Sequence, residues 1–232
     1  MRGKFSSRRA GVLVVLGLSS LVSLGFFVVS AIHNHSLADL YLVWNLLLAW
    51  LPLLLAGWLV SVLRRYLWLS WRPLLLTFLW LGVLPNSFYL VSDLVHLQQV
   101  ASANILYDSV MFESFIINGL LLGYLSVYLV HQQLLRRVSM RWASGLITLT
   151  LLICSFAIYL GRDLRWSSWD LLANPAGILF GVSNPVVDPL HNLQAFTTTL
   201  MFFVLIASLY FMIRSLARVL YRQPNKGSAT DL

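Results

Sequence analysis

Three groups of residues in this chain have the types and spacing to do chemistry. The first is Pro85-Asn86-Ser87-Phe88-Tyr89, continuing through Ser92-Asp93 to His96. On an α-helix Tyr89, Asp93 and His96 stand at i, i+4 and i+7, along one face. A carboxylate and an imidazole one turn apart can share a proton, hold a substrate or supply two metal ligands. Two ligands do not complete a metal site, and no second histidine pair has matching spacing, so no metal is assigned. The alternative is an interfacial helix with a solvated polar face.

The second group is Tyr107-Asp108 with Glu113. Glu113 lies about 12 Å along its apolar helix at 1.5 Å per residue. An acid at that depth costs several kcal/mol unless paired, which makes it a functional candidate. An outer arginine, Asn86 or Tyr89 could pair with it. Asn45 and Asn118 are amides within apolar runs, and hydrogen bonding between helices is the expected role of both.

The third group is Tyr159-Leu160-Gly161-Arg162, followed by Arg165 and by Ser168-Trp169-Asp170. Arg162 and Arg165 are three apart, close enough to converge on one anion, such as a phosphate, or on facing carboxylates. Either Asp93 with His96, or Glu113, would then serve as general acid or base. Tyr89, Asn86, Asp108, Arg162, Arg165 and Asp170 would hold the substrate. No phosphate-cradling glycine loop, nucleophile elbow or zinc signature accompanies them.

The elements that must position these groups are membrane helices. Of 232 residues 59% are hydrophobic and 10% charged, with a mean hydropathy of +0.80. Soluble domains carry about 25% charged residues, so a water-soluble globule is excluded. Five runs are close to the roughly 20 residues that a spanning helix needs: Ala10–Ile32, Leu40–Leu63, Ile105–Val130, Ala143–Leu160 and Leu193–Ile213. A sixth, Pro73–Leu97, is interrupted at Pro85. Read to Leu97 it is about 37 Å long, so it is taken as one helix kinked at the proline. The alternative is a half-helix followed by a re-entrant or interfacial helix. The expectation is an all-α integral membrane bundle of about six helices over residues 1–222, with a polar, disordered tail over 223–232.

Net charge is +8, from sixteen basic and eight acidic residues. Fourteen of the basic residues lie before the first span, in the second and fourth connections, or from the end of the sixth span onward. Only Arg162 and Arg165 fall in the other connections. Short cytoplasmic loops are rich in Lys and Arg, which places both termini in the cytoplasm. The surplus is thus a topology signal, and a nucleic-acid partner is not expected. The acids run the other way: all but Asp231 are in outward segments or the outer half of the fourth span.

The first apolar run exceeds the 7–15 residues of a cleavable signal core and is read as an uncleaved helix. Trp68, Trp71 and Trp142 belong at the inner interface, and Trp166 and Trp169 at the outer one. Gly119-x-x-x-Gly123 has helix-packing spacing. Cys154 reads as a small buried apolar residue. The long outer connection near 171–191, punctuated by Asn174-Pro175, Asn184-Pro185 and Asp188-Pro189, is a candidate lid or re-entrant element.

The motifs Pro85-Asn86-x-x-Tyr89-x-x-Ser92-Asp93-x-x-His96, Tyr107-Asp108 and Tyr159-x-Gly-Arg162-x-x-Arg165-x-x-Ser168-Trp169-Asp170 resemble the bacterial membrane family called "domain of unknown function 1361". The resemblance covers the chain from the second span to the sixth. It implies a polytopic protein of the bacterial plasma membrane and no particular activity or cofactor. Three functional readings follow. One is an outward-facing polar site that binds or acts on an anionic lipid or lipid-linked substrate. Another is a proton-coupled small-molecule transporter with Glu113 as the coupling acid. The third is a non-catalytic assembly or cofactor-binding subunit.

Overall fold

The computed structural model describes residues 2–99, 105–163 and 193–222. The described residues form helices: α1 (Arg2–Asn34), α2 (Leu40–Val62), α3 (Trp71–Val83), α4 (Pro85–Tyr89), a 3-10 helix (Leu90–Gln99), α5 (Ile105–Leu134), α6 (Met140–Asp163) and α7 (Leu193–Arg222). Among the described residues six stretches are long and apolar enough to cross a membrane, with α3, α4 and the start of the 3-10 helix joined into one, Trp71–Leu94.

The third span does not continue as one α-helix. Pro85 has no N–H to give to the preceding turn, so the helix stops at Val83 and restarts with proline at its first position. Five residues later the chain tightens into ten residues of 3-10 helix, longer than the few residues such helices usually last. The α-helical register expected for positions 89, 93 and 96 is therefore replaced by a repeat of three, which carries positions 93 and 96 along one edge.

This broken segment is buried because α5 makes room for it. A Cβ on Gly119 would lie 2.5 Å from Leu90 Cδ1 and 2.7 Å from the Ser87 carbonyl oxygen. One on Gly123 would lie 2.9 Å from the Phe88 ring and from Ser87 Cβ. The small-xxx-small pair thus serves tight packing, and the segment it receives is the proline break.

Helix α5 is central. Its membrane-crossing part is 61% buried, against 22–39% for the other spans. It packs on α1, α2, α4 and the 3-10 helix, while α6 pairs with α7. Hydrophobic burial does not drive helices together in lipid, so polar ties carry weight. Trp80 Nε1 donates to Ser126 Oγ (2.7 Å), which donates to the Pro52 carbonyl (2.9 Å), linking α3, α5 and α2. Ser87 Oγ donates to the Ala49 carbonyl at 3.0 Å. Asn118 donates to Ser23 Oγ at 2.8 Å and to the Ser19 carbonyl at 3.2 Å, tying α5 to α1 as its residue type suggested. Tyr107 donates to the Phe26 carbonyl, and Tyr124 to that of Ile206 on α7.

At the arginine-rich end, Arg137 donates to the Leu63 carbonyl and stacks 5.5 Å from the Trp68 ring. Trp71 and Trp142 are exposed, and Cys154 is fully buried as its residue type suggested. Trp166, Trp169, the 171–191 connection and the 223–232 tail lie outside the described residues.

Candidate functional site

The site is assembled where the broken third span meets α2, α5 and α6. Asp93 sits in the 3-10 helix at 2% exposure. Its Oδ2 accepts a hydrogen bond from Asn45 Nδ2 of α2 at 3.2 Å. The interhelical role expected for Asn45 is therefore to satisfy the buried acid. A carboxylate in this setting needs such donors, because desolvation without them costs several kcal/mol. Tyr41, one turn before Asn45 on α2, is within electrostatic reach of Asp93, Tyr89 and Asp39. Sequence reasoning assigned Tyr41 no role; its spacing of four from Asn45 was the signal that could have found it.

Ser92, beside Asp93, donates to the Tyr89 carbonyl at 2.7 Å and so closes the junction between α4 and the 3-10 helix. Its own carbonyl accepts from Arg162 Nη1 of α6 at 3.2 Å. Arg162 is half-buried and makes no ion pair among the described residues. One N–H of its fork is anchored on backbone, and the others are not engaged by any described residue. Of the two uses expected for Arg162, an ion pair to Asp93, Asp108 or Glu113 is thus not formed within this part of the structure. Asn86 and Tyr89 are half-buried on α4, on the same broken segment.

The acids of α5 separate. Asp108, in its first turn, is 4% exposed and faces the packed interior. Glu113 is five residues on, about 140° around the helix, and is exposed. It shares that outer stripe with Leu106, Val110, Ile117 and Leu121. The structure therefore brings Asp93 together with Asn45, Tyr41, Ser92 and Arg162, and does not bring Glu113 into that group. For His96 the backbone alone is described, and Arg165 and Asp170 lie outside the described residues. No cluster of three or more metal-ligating side chains occurs among the described residues.

Described residues that are almost wholly helical, with six apolar spans among them and a buried carboxylate–amide pair at a broken helix, define a multi-pass helical membrane protein. The family model described as "Protein of unknown function (DUF1361)" matches residues 44–213, and the chain belongs to that family. No curated protein and no solved structure matches it.

Proposed function

We propose that the Asp93–Arg162 region is a polar site facing the outer side of the bacterial plasma membrane, where it binds an anionic lipid or lipid-linked substrate. The observation that carries this reading is the state of Arg162. It is held against the Ser92 carbonyl by one N–H, with the rest of its guanidinium uncommitted among the described residues. A planar fork of this kind recognises phosphate or carboxylate through two parallel hydrogen bonds. Asp93, oriented by Asn45, is the general acid or base if the bound group is transformed. His96 shares that role along the same 3-10 edge, and Asn86, Tyr89, Asp108, Arg165 and Asp170 complete the substrate contacts. The placement of the lipid-linked group at the outer leaflet follows the arginine bias of the connections.

The test is native mass spectrometry of the protein extracted in mild detergent, comparing wild type with Arg162→Gln and Asp93→Asn. The expected result is a bound phosphorus-containing species that Arg162→Gln loses and Asp93→Asn keeps. A wild type that carries nothing, in cells whose growth is indifferent to both substitutions, overturns the reading.

One observation favours the assembly reading. Glu113 stands on the exposed stripe of α5, an acid that hydrocarbon tolerates only with a partner. If Glu113 meets another protein helix, Glu113→Gln abolishes a complex detectable by size and leaves lipid retention intact. If it serves the polar site, the same substitution leaves an abundant, folded and inactive protein.

A further inference from the structure

At the opposite, arginine-rich end of the bundle a cleft of about 560 Å³ opens between α5, the start of α6 and α7. Tyr128 and Gln132 line it from α5, Met140 from α6, and Arg214 and Arg218 from α7. Arg214 is 6% exposed, and its Nε and Nη2 are inaccessible and without a hydrogen-bond partner among the described residues. A buried guanidinium left this way is unfavourable, because desolvation removes its water and nothing replaces it. Arg218 lies one turn further on the same face of α7, so two like charges share the cleft. His131 and Tyr210 flank it, joined Nδ1 to hydroxyl at 2.7 Å. They contribute no negative charge.

Among the described residues no carboxylate lies beside the two arginines to compensate them. Seven of the eight carboxylates belong to the other end of the bundle or to the outer connections, and Asp231 alone follows α7. The cleft therefore holds positive charge that no described residue balances. Two guanidinium groups with a phenol and an amide beside them offer many donors and no charged acceptor, which matches a phosphate better than a single carboxylate. Leu135, Met140 and Ala217 add apolar lining beside the arginines. The neighbouring face of α7 is exposed and apolar at Ile213, Leu216 and Val219. A mostly apolar cleft that holds two guanidinium groups suits a phosphate headgroup with room for its chains.

We infer that this cleft binds a phosphate group, carried by an anionic phospholipid headgroup of the adjacent leaflet or present as free phosphate. This site is independent of the one at Arg162 and lies at the other end of the helices.

The full-length protein is reconstituted in nanodiscs of equimolar phosphatidylglycerol and phosphatidylcholine, and retained lipid is counted by native mass spectrometry. Wild type is expected to retain phosphatidylglycerol preferentially, and Arg214→Gln or Arg218→Gln to lower that preference about tenfold, the loss of one charge-assisted hydrogen bond. Arg218 is exposed, so Arg218→Gln tests the site even if Arg214→Gln fails to fold. Arg162→Gln leaves the preference unchanged, which separates this site from the outer one. Displacement of the lipid by millimolar inorganic phosphate assigns the cleft to the free anion; resistance to it assigns the cleft to the headgroup. Equal retention of the two lipids without any phosphate adduct overturns the inference. So does a preference that survives both arginine substitutions, or one that appears only when Asp231→Asn removes the tail carboxylate.

Discussion

The two ends of the bundle bury charge of opposite sign and treat it differently. Near the broken third span, Asp93 is buried and an amide from a neighbouring helix donates to it. At the other end Arg214 is buried to a similar degree, and two of its nitrogens have no acceptor among the described residues. A carboxylate is small, and one or two N–H groups go far to meet its demand for hydrogen bonds. A guanidinium presents five N–H groups in a plane, and the neighbouring helix faces offer few acceptors, since their carbonyls are already bonded within the helices. An acid can thus draw donors from within the bundle, Asn45 among them, whereas an arginine at equal depth calls for an external anion.

The packing around the broken third span is the most sensitive point of this contrast. Gly119→Val puts methyl groups where even a Cβ would collide with Leu90 and the Ser87 carbonyl. It is expected to cost about 3 kcal/mol or more, at the upper end of overpacking penalties. The readout is unfolding in mixed micelles, with loss of the ligand proposed at Arg162 but retention of the phosphatidylglycerol selectivity proposed at Arg214 in any protein that folds. Equal damage to both ends would merge the two regions into one cooperative unit.

Next in size is the amide. Asn45→Leu removes one donor from buried Asp93 and is expected to destabilise by about 1–3 kcal/mol, the range for losing a hydrogen bond to a buried polar group. Asp93→Asn, which keeps an oxygen to accept from Asn45, should cost less than Asn45→Leu. The reverse order would show that the negative charge is itself what holds this junction.

Arg214→Met is the sharpest test of the difference in kind. In zwitterionic lipid it is expected to stabilise the protein by about 1–2 kcal/mol, since an apolar side chain of similar length replaces a buried cation with no described partner for two of its nitrogens. In anionic lipid the gain should shrink or reverse. A loss of stability in both lipids would mean that Arg214 is already satisfied.

The smallest effects belong to neutral ties shared by the packing as a whole. Tyr210→Phe removes the bond to His131 and Ser126→Ala breaks the Trp80–Pro52 relay; each should cost about 1 kcal/mol or less. Larger losses there would place the rigidity of the bundle in its middle instead of in the glycine–proline junction.

Much of this architecture is legible in the amino-acid sequence. Span number and limits follow from hydropathy alone, because crossing about 30 Å of hydrocarbon is a demand each segment meets by itself. The arginine bias, an interruption at Pro85 and the interhelical duty of Asn45 and Asn118 are equally local properties, written in residue type and position; that the helix ends there instead of kinking is not. Sequence could also flag Gly119 and Gly123 as a close-packing pair, though not what would pack there.

Which way each helix turns its polar residues was decided only in three dimensions. Asp108 and Glu113 look equivalent in sequence, yet one faces the interior and the other the surroundings. The 3-10 stretch after Tyr89 replaced the helical face that would have joined Tyr89, Asp93 and His96. Arg214 reads as a topology signal and became a buried group beside a cleft. The reason is physical: every face of a membrane helix is apolar enough to meet either lipid or protein, so hydropathy sets how many helices cross. Close packing and the pairing of a few polar groups set which faces meet.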